Sequence, residues 1–267
     1  MKIGIIGLGQ MGEALTQGLK NSSDSKQFSI QATTRSKESA AEAKKTLGID
    51  CHTDNAALVD SSEVLLLCVK PHQAKKVLEG ISKKLTPKHL IISVCASVTT
   101  AQLEEWSGGK AALIRSMPNT PCLIGYGMTV FAAGSGADEK HLEVAQKIFD
   151  TVGKTAVVEE ALMDGVTGLS GCGPAYIYLV IEALSEAGVK VGLPRKLATL
   201  LTAQTLLGSA QMVLTRGEHP AALKDEVTTP AGCTIDGLMA LEDGKLRMTL
   251  IKAVLAAAER SRLLSSK

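Results

Sequence analysis

Short apolar runs alternate with amphipathic segments along the chain up to about residue 160. The apolar runs have the length and composition of β-strands, and they predict strands at residues 2–6, 28–33, 64–69, 90–94, 112–117, 128–133 and 155–158. The segments between them have helical periodicity and predict helices at residues 11–21, 37–47, 73–81 and 138–152. Strands that alternate with helices in this way indicate a parallel sheet that is covered on both faces.

The pattern changes beyond about residue 160, where the strand signals end and long helices are predicted. They lie at residues 174–188, 194–216, 234–241 and 245–264. The stretch 196–207 is apolar on more than one side, and a helix of that kind has to be buried on all sides. We therefore predict two domains, an α/β domain at residues 1–160 and an all-helical domain at residues 161–267 that packs against a second copy of the chain.

The composition sets limits on the function. The 267-residue chain has a net charge of +2, and its paired lysines lie between apolar positions as on solvated helix faces, which disfavours a nucleic-acid partner. The six cysteines form no CxxC pair, and no histidine stands at metal spacing from any of them. We therefore expect no metal site and a reducing compartment, the cytoplasm. No run approaches the ~18 apolar residues that a membrane span requires, so we expect no membrane association.

A glycine-rich turn joins the first predicted strand to the first predicted helix. Gly7, Gly9 and Gly12 match the GxGxxG pattern of dinucleotide-binding proteins in its required strand–turn–helix context. Gly7 permits the tight turn, Gly9 lets a pyrophosphate approach the backbone, and Gly12 lets the helix pack closely on the strand. The turn predicts an α/β fold with an N-terminal Rossmann-type, doubly wound sheet, followed by the all-α dimerisation domain.

The end of the second predicted strand indicates which dinucleotide binds. A carboxylate there would bind the ribose 2′-hydroxyl of NAD, but the chain has the hydroxyls of Thr33 and Thr34 and the cations of Arg35 and Lys37. A planar guanidinium with hydroxyl neighbours suits a 2′-phosphate. We therefore predict NADP as the cofactor, with NADPH preferred and NADH possible. The alternative is that both cations are simply exposed residues at the start of a helix.

Small and polar residues also follow three further strands at their carboxyl ends, where open parallel sheets bind ligands. These segments are residues 69–72, 93–97 and 115–121. They suit a wall against the nicotinamide half of the cofactor, although loops are polar in general.

Five segments in this order along the chain resemble the pyrroline-5-carboxylate reductase family, the last enzyme of proline biosynthesis. They are the glycine-rich turn and residues 69–71, 115–121, 169–176 and 223–234. The resemblance implies that the chain reduces L-1-pyrroline-5-carboxylate to L-proline with NAD(P)H. It also implies homodimers through the helical domain and the further assembly of dimers into a ring.

The resemblance also implies site residues by position. The cofactor would contact residues in the glycine turn and at the following strand ends, namely Ile6, Gly7, Leu8, Gly9, Gln10, Met11, Thr34, Arg35, Asn55, Cys68, Val69, Lys70, Val94 and Ala96. The substrate would contact Glu160, Thr229, Gly232, Cys233 and Thr234. Two positions depart from the family: Ala231 replaces a frequent glycine, and Glu226 replaces a neutral amide near the cofactor, so Glu226 is left out of the site.

A cyclic imine that is protonated is already an electrophile, so its site needs positioning more than acid catalysis. We expect the amides of Gly232 and Cys233 and the Thr234 hydroxyl to hold the substrate carboxylate at a helix N-terminus, and Thr234 is the candidate catalytic residue through the ring nitrogen. The alternative is that Thr234 is only an N-cap. Glu160 either favours the protonated imine or is a surface acid beside Glu159.

Two rival functions use the same cofactor fold: a 3-hydroxyacid-type dehydrogenase, and a non-catalytic protein that senses NADP(H). The dehydrogenase would need a lysine near residues 171–176, where the chain has none. Neither rival needs the segment from Thr228 to Thr234.

Overall fold

The computed structural model describes residues 1–265 and has one sheet of eight strands in the order β3-β2-β1-β4-β5-β6-β7-β8. The strands are β1 Lys2–Ile6, β2 Ser29–Thr33, β3 Asp50–His52, β4 Val64–Leu67, β5 Leu90–Ser93, β6 Ala112–Met117, β7 Gly127–Ala133 and β8 Gly153–Val157. The direction of strand order reverses at β1, which lies between β2 and β4. In open sheets of this kind a ligand crevice forms at such a reversal, beyond the carboxyl ends of the strands.

The helices of the described chain divide into those that cover the sheet and those that follow it. The first group is α1 Gln10–Asn21, α2 Lys37–Leu47, α3 Asn55–Asp60, α4 Pro71–Ile81, α5 Thr100–Ser107, α6 Glu139–Phe149 and α7 Met163–Val166. The second group is α8 Gly173–Lys190, α9 Arg195–Arg216, α10 Pro220–Glu226, α11 Cys233–Asp243 and α12 Leu246–Ser265.

The sheet is not parallel throughout, which corrects the prediction of a parallel sheet. The strands β3, β2, β1, β4, β5 and β6 lie parallel to one another. Strand β7 pairs antiparallel with β6, and β8 then pairs parallel with β7. A parallel crossover needs a dozen or more residues. Only Pro118 to Tyr126 join the two strands, with a short 3₁₀ turn at Thr120–Ile124, so the chain turns back beside β6.

Both faces of the sheet are buried, as the continuous apolar strand runs predict. Along β4 the side chains alternate between two clusters: Leu66 packs with α1 and α2 residues on one face, and Leu65 and Leu67 pack with α4 and α5 residues on the other. Leu65, Leu66 and Leu67 are all fully buried. The two apolar layers hold the strand ends in register, and every predicted cofactor residue lies at or beyond those ends.

The chain forms two compact units. The first contains Met1–Cys172 together with the described chain from Leu255 onward, and the second is Gly173–Val254. The second half of α12 therefore belongs to the same unit as the sheet. The predicted domain boundary at residue 160 divides the chain at a different place from these two units, and it stays a prediction.

Helices α8 and α9 pack closely in the second unit, where a Cβ atom on Gly188 would lie 2.8 Å from the Cβ atom of Ala198. Most large apolar side chains of α9 nevertheless remain exposed, including Leu200 at 64% and Leu214 at 75%. Contrary to the expectation that no segment resembles a membrane span, α9 is long and apolar enough to be one by length and composition. A helix that is covered by another chain has the same composition, so this single helix is weak support for a membrane location.

Candidate cofactor and substrate sites

The glycine-rich turn between β1 and α1 depends on the absence of side chains at two positions. Gly7 has φ of +95°, and a Cβ atom there would lie 3.0 Å from the carbonyl oxygen of Cys68. A Cβ atom on Gly12 would lie 2.3 Å from the carbonyl oxygen of Gly7. The first glycine therefore permits the left-handed turn, and the second lets α1 begin directly against the strand end.

Gly9 has a different role, because it is the N-cap of α1 and borders open space. A Cβ atom on Gly9 would meet no atom of the described chain within 4 Å. Among residues 1–265 no side chain caps the start of this helix, so its first backbone N–H groups are available as donors. Free N–H groups at the positive end of a helix, beside an open approach, fit a pyrophosphate.

The end of β2 places hydroxyl and amide groups on the same side of the sheet. The buried Thr33 donates a hydrogen bond from Oγ1 to Oδ1 of Asn55, at 2.6 Å, which fixes the amide at the start of α3. Thr34 donates from its hydroxyl to the carbonyl of Ser36, at 3.1 Å, and Arg35 is exposed beside it. A guanidinium in this position is free to reach a phosphate, and the described chain offers it no carboxylate at ion-pair distance.

The carboxyl ends of β4 and β5 lie beside each other. Val94 donates its N–H to the carbonyl of Leu67 at 3.1 Å, and the Cys95 thiol lies 3.3 Å from the carbonyl of Val69. Burial raises the pKa of Cys95 to about 11, and burial also raises the pKa of Cys68 far above its usual range. A raised pKa disfavours the thiolate, so neither thiol is a good candidate for a nucleophile.

The first unit brings all the predicted cofactor residues to the carboxyl edge of β1, β2, β3, β4 and β5. They are Ile6, Gly7, Leu8, Gly9, Gln10, Met11, Thr34, Arg35, Asn55, Cys68, Val69, Lys70, Val94 and Ala96. Their assignment as cofactor ligands stays a prediction.

Glu160 lies in the same unit, and its carboxylate is already engaged. Oε1 accepts hydrogen bonds from the backbone N–H of Thr100, at 2.7 Å, and from Nη1 of Arg115, at 3.2 Å. Oε2 accepts from the Thr100 hydroxyl. Arg115 is 4% exposed, and its Nη2 lies 3.8 Å from Oδ1 of Asp164. Glu160 is therefore held in a partly buried ion pair rather than free at the surface, and its role as a substrate ligand stays a prediction.

The sequence did contain a signal for this cluster, although the prediction did not use it. Arg115 follows Ile114 within the apolar run of β6, and a buried guanidinium requires carboxylate partners. The signal predicts that partners exist, but it does not identify them as Glu160 and Asp164, because those residues follow from the packing of another segment.

The predicted substrate turn lies in the second unit, at the start of α11. Gly232 is the N-cap residue, and its N–H donates to the carbonyl of Thr229 at 3.1 Å. Cys233 and Thr234 are the first two residues of the helix. The alternative that Thr234 is only the N-cap is therefore wrong: within the described chain the cap position belongs to a glycine without a hydroxyl, and the threonine side chain is not used for capping.

Glu226 stands just before this turn and forms a bidentate pair with Arg216. The two distances from the guanidinium to the carboxylate oxygens are 2.7 and 2.6 Å. Hydrogen bonds from Arg216 hold the pKa of Glu226 below its usual range. Glu226, the carboxylate that replaces a neutral amide of the family pattern, is therefore paired with the cation of Arg216 inside the second unit.

Family models match two parts of the chain. The model described as pyrroline-5-carboxylate reductase dimerisation matches residues 160–264, and the model described as NADP oxidoreductase coenzyme F420-dependent matches residues 2–97. Curated relatives named pyrroline-5-carboxylate reductase match over nearly the whole length. The relative from Arabidopsis thaliana is 42% identical over 99% of this chain and 95% of its own, and that from Methanosarcina acetivorans is 41% identical over 100% and 98%.

Solved structures give the same result. The pyrroline-5-carboxylate reductase from Coxiella burnetii superposes with a TM-score of 0.92 at 38% identity, covering 98% of both chains. The pyrroline carboxylate reductase from Plasmodium falciparum, solved with NADP bound, has a TM-score of 0.88 at 35% identity and covers 99% of this chain and 98% of its own. Because these matches extend over both the sheet and the helices, the chain belongs to the pyrroline-5-carboxylate reductase family.

Proposed function

We propose that the chain reduces L-1-pyrroline-5-carboxylate to L-proline with NADPH, the final step of proline biosynthesis. The observation that carries this proposal is the similarity over nearly the full length to enzymes of that name. This similarity covers both the glycine-rich turn and the segment from Thr228 to Thr234. The proposed cofactor site and the proposed substrate site therefore both lie within the matched residues.

The residues at the sheet edge fit NADP. The uncapped start of α1 and the open approach at Gly9 suit the pyrophosphate, and the exposed guanidinium of Arg35 suits a 2′-phosphate. The relative from Plasmodium falciparum was solved with NADP. When bound, NADPH supplies the hydride for the imine carbon. NADH lacks the 2′-phosphate, so we expect it to be used less well.

The start of α11 is proposed to hold the carboxylate of the substrate. The N–H of Gly232 already donates to the carbonyl of Thr229, which corrects the expectation that this amide binds the substrate, so the proposed donor is the N–H of Cys233. A neutral donor at the positive end of a helix holds an anion without repelling a protonated imine. The Thr234 hydroxyl then donates a hydrogen bond to the substrate, and it is the proposed catalytic residue. Thr229 closes the turn through its carbonyl, which accepts from Gly232.

The proposed oligomer is a homodimer through the helical part of the chain, and a ring of such dimers is its further assembly. The exposed apolar residues of α9 support a helix face that a second copy of the chain covers. The matching family model is itself one of dimerisation. The proposed location is the cytoplasm, which the six free thiols support. Sedimentation of the full chain tests the dimer, and a monomer at assay concentration contradicts it.

One assay tests the activity. NADPH oxidation is followed with L-1-pyrroline-5-carboxylate, and a 3-hydroxyacid with NADP is the matched control for the rival dehydrogenase. Proline formed in proportion to NADPH consumed is the expected result. NADPH binding without turnover of either substrate identifies a sensor and overturns the proposal.

A further inference from the structure

A buried hydroxyl of α12 lies beside the loop that follows β5. Ser261 is 3% exposed, and its Oγ atom lies 2.7 Å from Oδ1 of Asp164 and 3.2 Å from Oγ of Ser97. All three residues belong to the first unit. The positions are far apart along the chain, so the contact ties the end of α12 to the carboxyl edge of the sheet.

The direction of these hydrogen bonds follows from the number of protons. A carboxylate only accepts, so Ser261 uses its one hydroxyl proton toward Asp164. Ser261 can then only accept from Ser97, and the Ser97 hydroxyl is the donor. Asp164 is in turn fixed by Nη2 of the buried Arg115, at 3.8 Å. The contacts therefore run from Arg115, which lies on β6, through Asp164 and Ser261 to Ser97.

Ser97 is the residue in this arrangement with an unfavourable backbone. Its φ is +57°, in the left-handed region that serine adopts only at a steric cost. Such a conformation persists where the surroundings determine it. The hydrogen bond to Ser261 is the side-chain contact that holds Ser97, and a serine without it would relax toward a negative φ.

The loop that contains Ser97 also contains two predicted cofactor residues. Val94 and Ala96 lie three residues and one residue before Ser97, and Thr99 lies two residues after it as the N-cap of α5. Both ends of the loop are fixed, because Val94 donates to the carbonyl of Leu67 and α5 has a complete capping box. A change of φ at Ser97 is therefore taken up in the loop between Val94 and Thr99, and it moves the proposed cofactor wall at Ala96.

We propose that Ser261 is a positioning residue for the cofactor: its hydroxyl holds Ser97 in the left-handed conformation and so sets the course of residues 94–97. This inference rests on the proposed NADPH site. It assigns to α12 a role in cofactor binding that does not require α12 to contact the cofactor.

The experiment measures the Kd of NADPH for the full chain by fluorescence, with a melting temperature for each variant. Ser261→Ala is expected to raise the Kd about fivefold, because Ser97 loses the contact that offsets its steric cost. Ser97→Ala removes the same hydrogen bond and is expected to give a similar loss, and the double variant is expected to lose no more than either single variant. Ser265→Ala is the matched control, because Ser265 lies on the same helix, 3.5 Å from the same carboxylate oxygen. The Kd of NADPH for this variant is expected to stay unchanged.

Glycine at position 97 gives a further test, because glycine adopts a positive φ without an anchor. In a Ser97→Gly background, Ser261→Ala is expected to change the Kd by less than about twofold. An equal loss in both backgrounds overturns the inference, and so does a lower melting temperature for Ser261→Ala with an unchanged Kd. If the unsubstituted chain itself fails to bind NADPH, the proposed function fails instead.

Discussion

The guanidinium of Arg115 lies 3.2 Å from the carboxylate of Glu160, and the arginine side chain is only 4% exposed. Arg115→Met leaves the carboxylates of Glu160 and Asp164 without their cation. We expect a loss of roughly 2–4 kcal/mol in the free energy of unfolding, since removal of one partner from a buried pair is costly. Urea denaturation measures it.

The matched control for that substitution is an exposed pair. Lys84 and Asp60 are 2.6 Å apart with side chains about half exposed, so Lys84→Met is expected to change the free energy of unfolding by no more than about 1 kcal/mol. Equal effects of the two substitutions would show that the buried pair adds no more to stability than the exposed pair.

Two glycines of the cofactor turn are expected to respond differently to alanine. Gly9→Ala adds a methyl group to open space, so the free energy of unfolding should change by at most about 1 kcal/mol, whereas the Kd of NADPH rises at least about tenfold because the methyl occupies the pyrophosphate position. Gly12→Ala places Cβ 2.3 Å from a backbone oxygen and should cost roughly 1–3 kcal/mol of stability. NADPH titration and thermal melting separate the two effects, and unchanged NADPH affinity in Gly9→Ala would contradict the proposed site.

Arg35 is expected to set the preference for NADPH. Arg35→Ala should lower the ratio of kcat/KM with NADPH to that with NADH at least about tenfold, because a hydrogen bond to a charged group contributes about 1.5–3 kcal/mol. Lys44→Ala is the control, since Lys44 is an exposed cation of the following helix that is paired with Asp50. A ratio that falls equally in both variants would indicate a general effect of charge.

Thr234→Ala is expected to lower kcat/KM for the imine at least about tenfold, with little change in the free energy of unfolding. The second part follows because Gly232, rather than Thr234, is the N-cap of α11. Steady-state kinetics and thermal melting are the two measurements. Unchanged kinetics would remove Thr234 from the site, and a large loss of stability would show that Thr234 stabilises the fold.

Ala231 has φ of +56° in the turn before α11. Ala231→Gly should raise the free energy of unfolding by about 0.5–1 kcal/mol, because glycine removes a steric cost of about 1–2 kcal/mol but loses more entropy on folding. Lys245→Gly provides a comparison outside the turn, since Lys245 has the same φ of 56°. A lower melting temperature for Ala231→Gly would show that the methyl group makes favourable contacts.

The strands and long helices could be predicted because their apolar periodicity is strong, and the bounds of β1, β6 and α2 match the predicted ones. The edge strand β3 at Asp50–His52 was missed, since three residues with one apolar side chain carry no period. Helix α5 was also missed, although Thr99 and Gln102 have the spacing of its capping box. The antiparallel step at β7 depends on the length of a loop rather than on the strand pattern.

The cofactor side of the site was accessible from the sequence because its residues are local: a strand, a turn and a helix start follow one another. The polar cluster of Arg115, Asp164, Ser261 and Ser97 was not, because its members come from four separate segments. Their proximity is a result of tertiary packing, and no spacing in the chain encodes it. The same is true of the positive φ at Ser97, which no composition rule assigns to serine.

The second half of α12 lies in the first compact unit although Gly173–Val254 intervenes, and this has a consequence for synthesis on the ribosome. A nascent chain that has emerged as far as Cys172 contains every strand of the sheet but lacks Ser261. At translation rates of about 5–20 residues per second, the missing segment follows roughly 4–18 seconds later. During that interval the buried side of Asp164 faces solvent or a chaperone, so the nucleotide-binding half of the molecule is completed only after the helical half has been made.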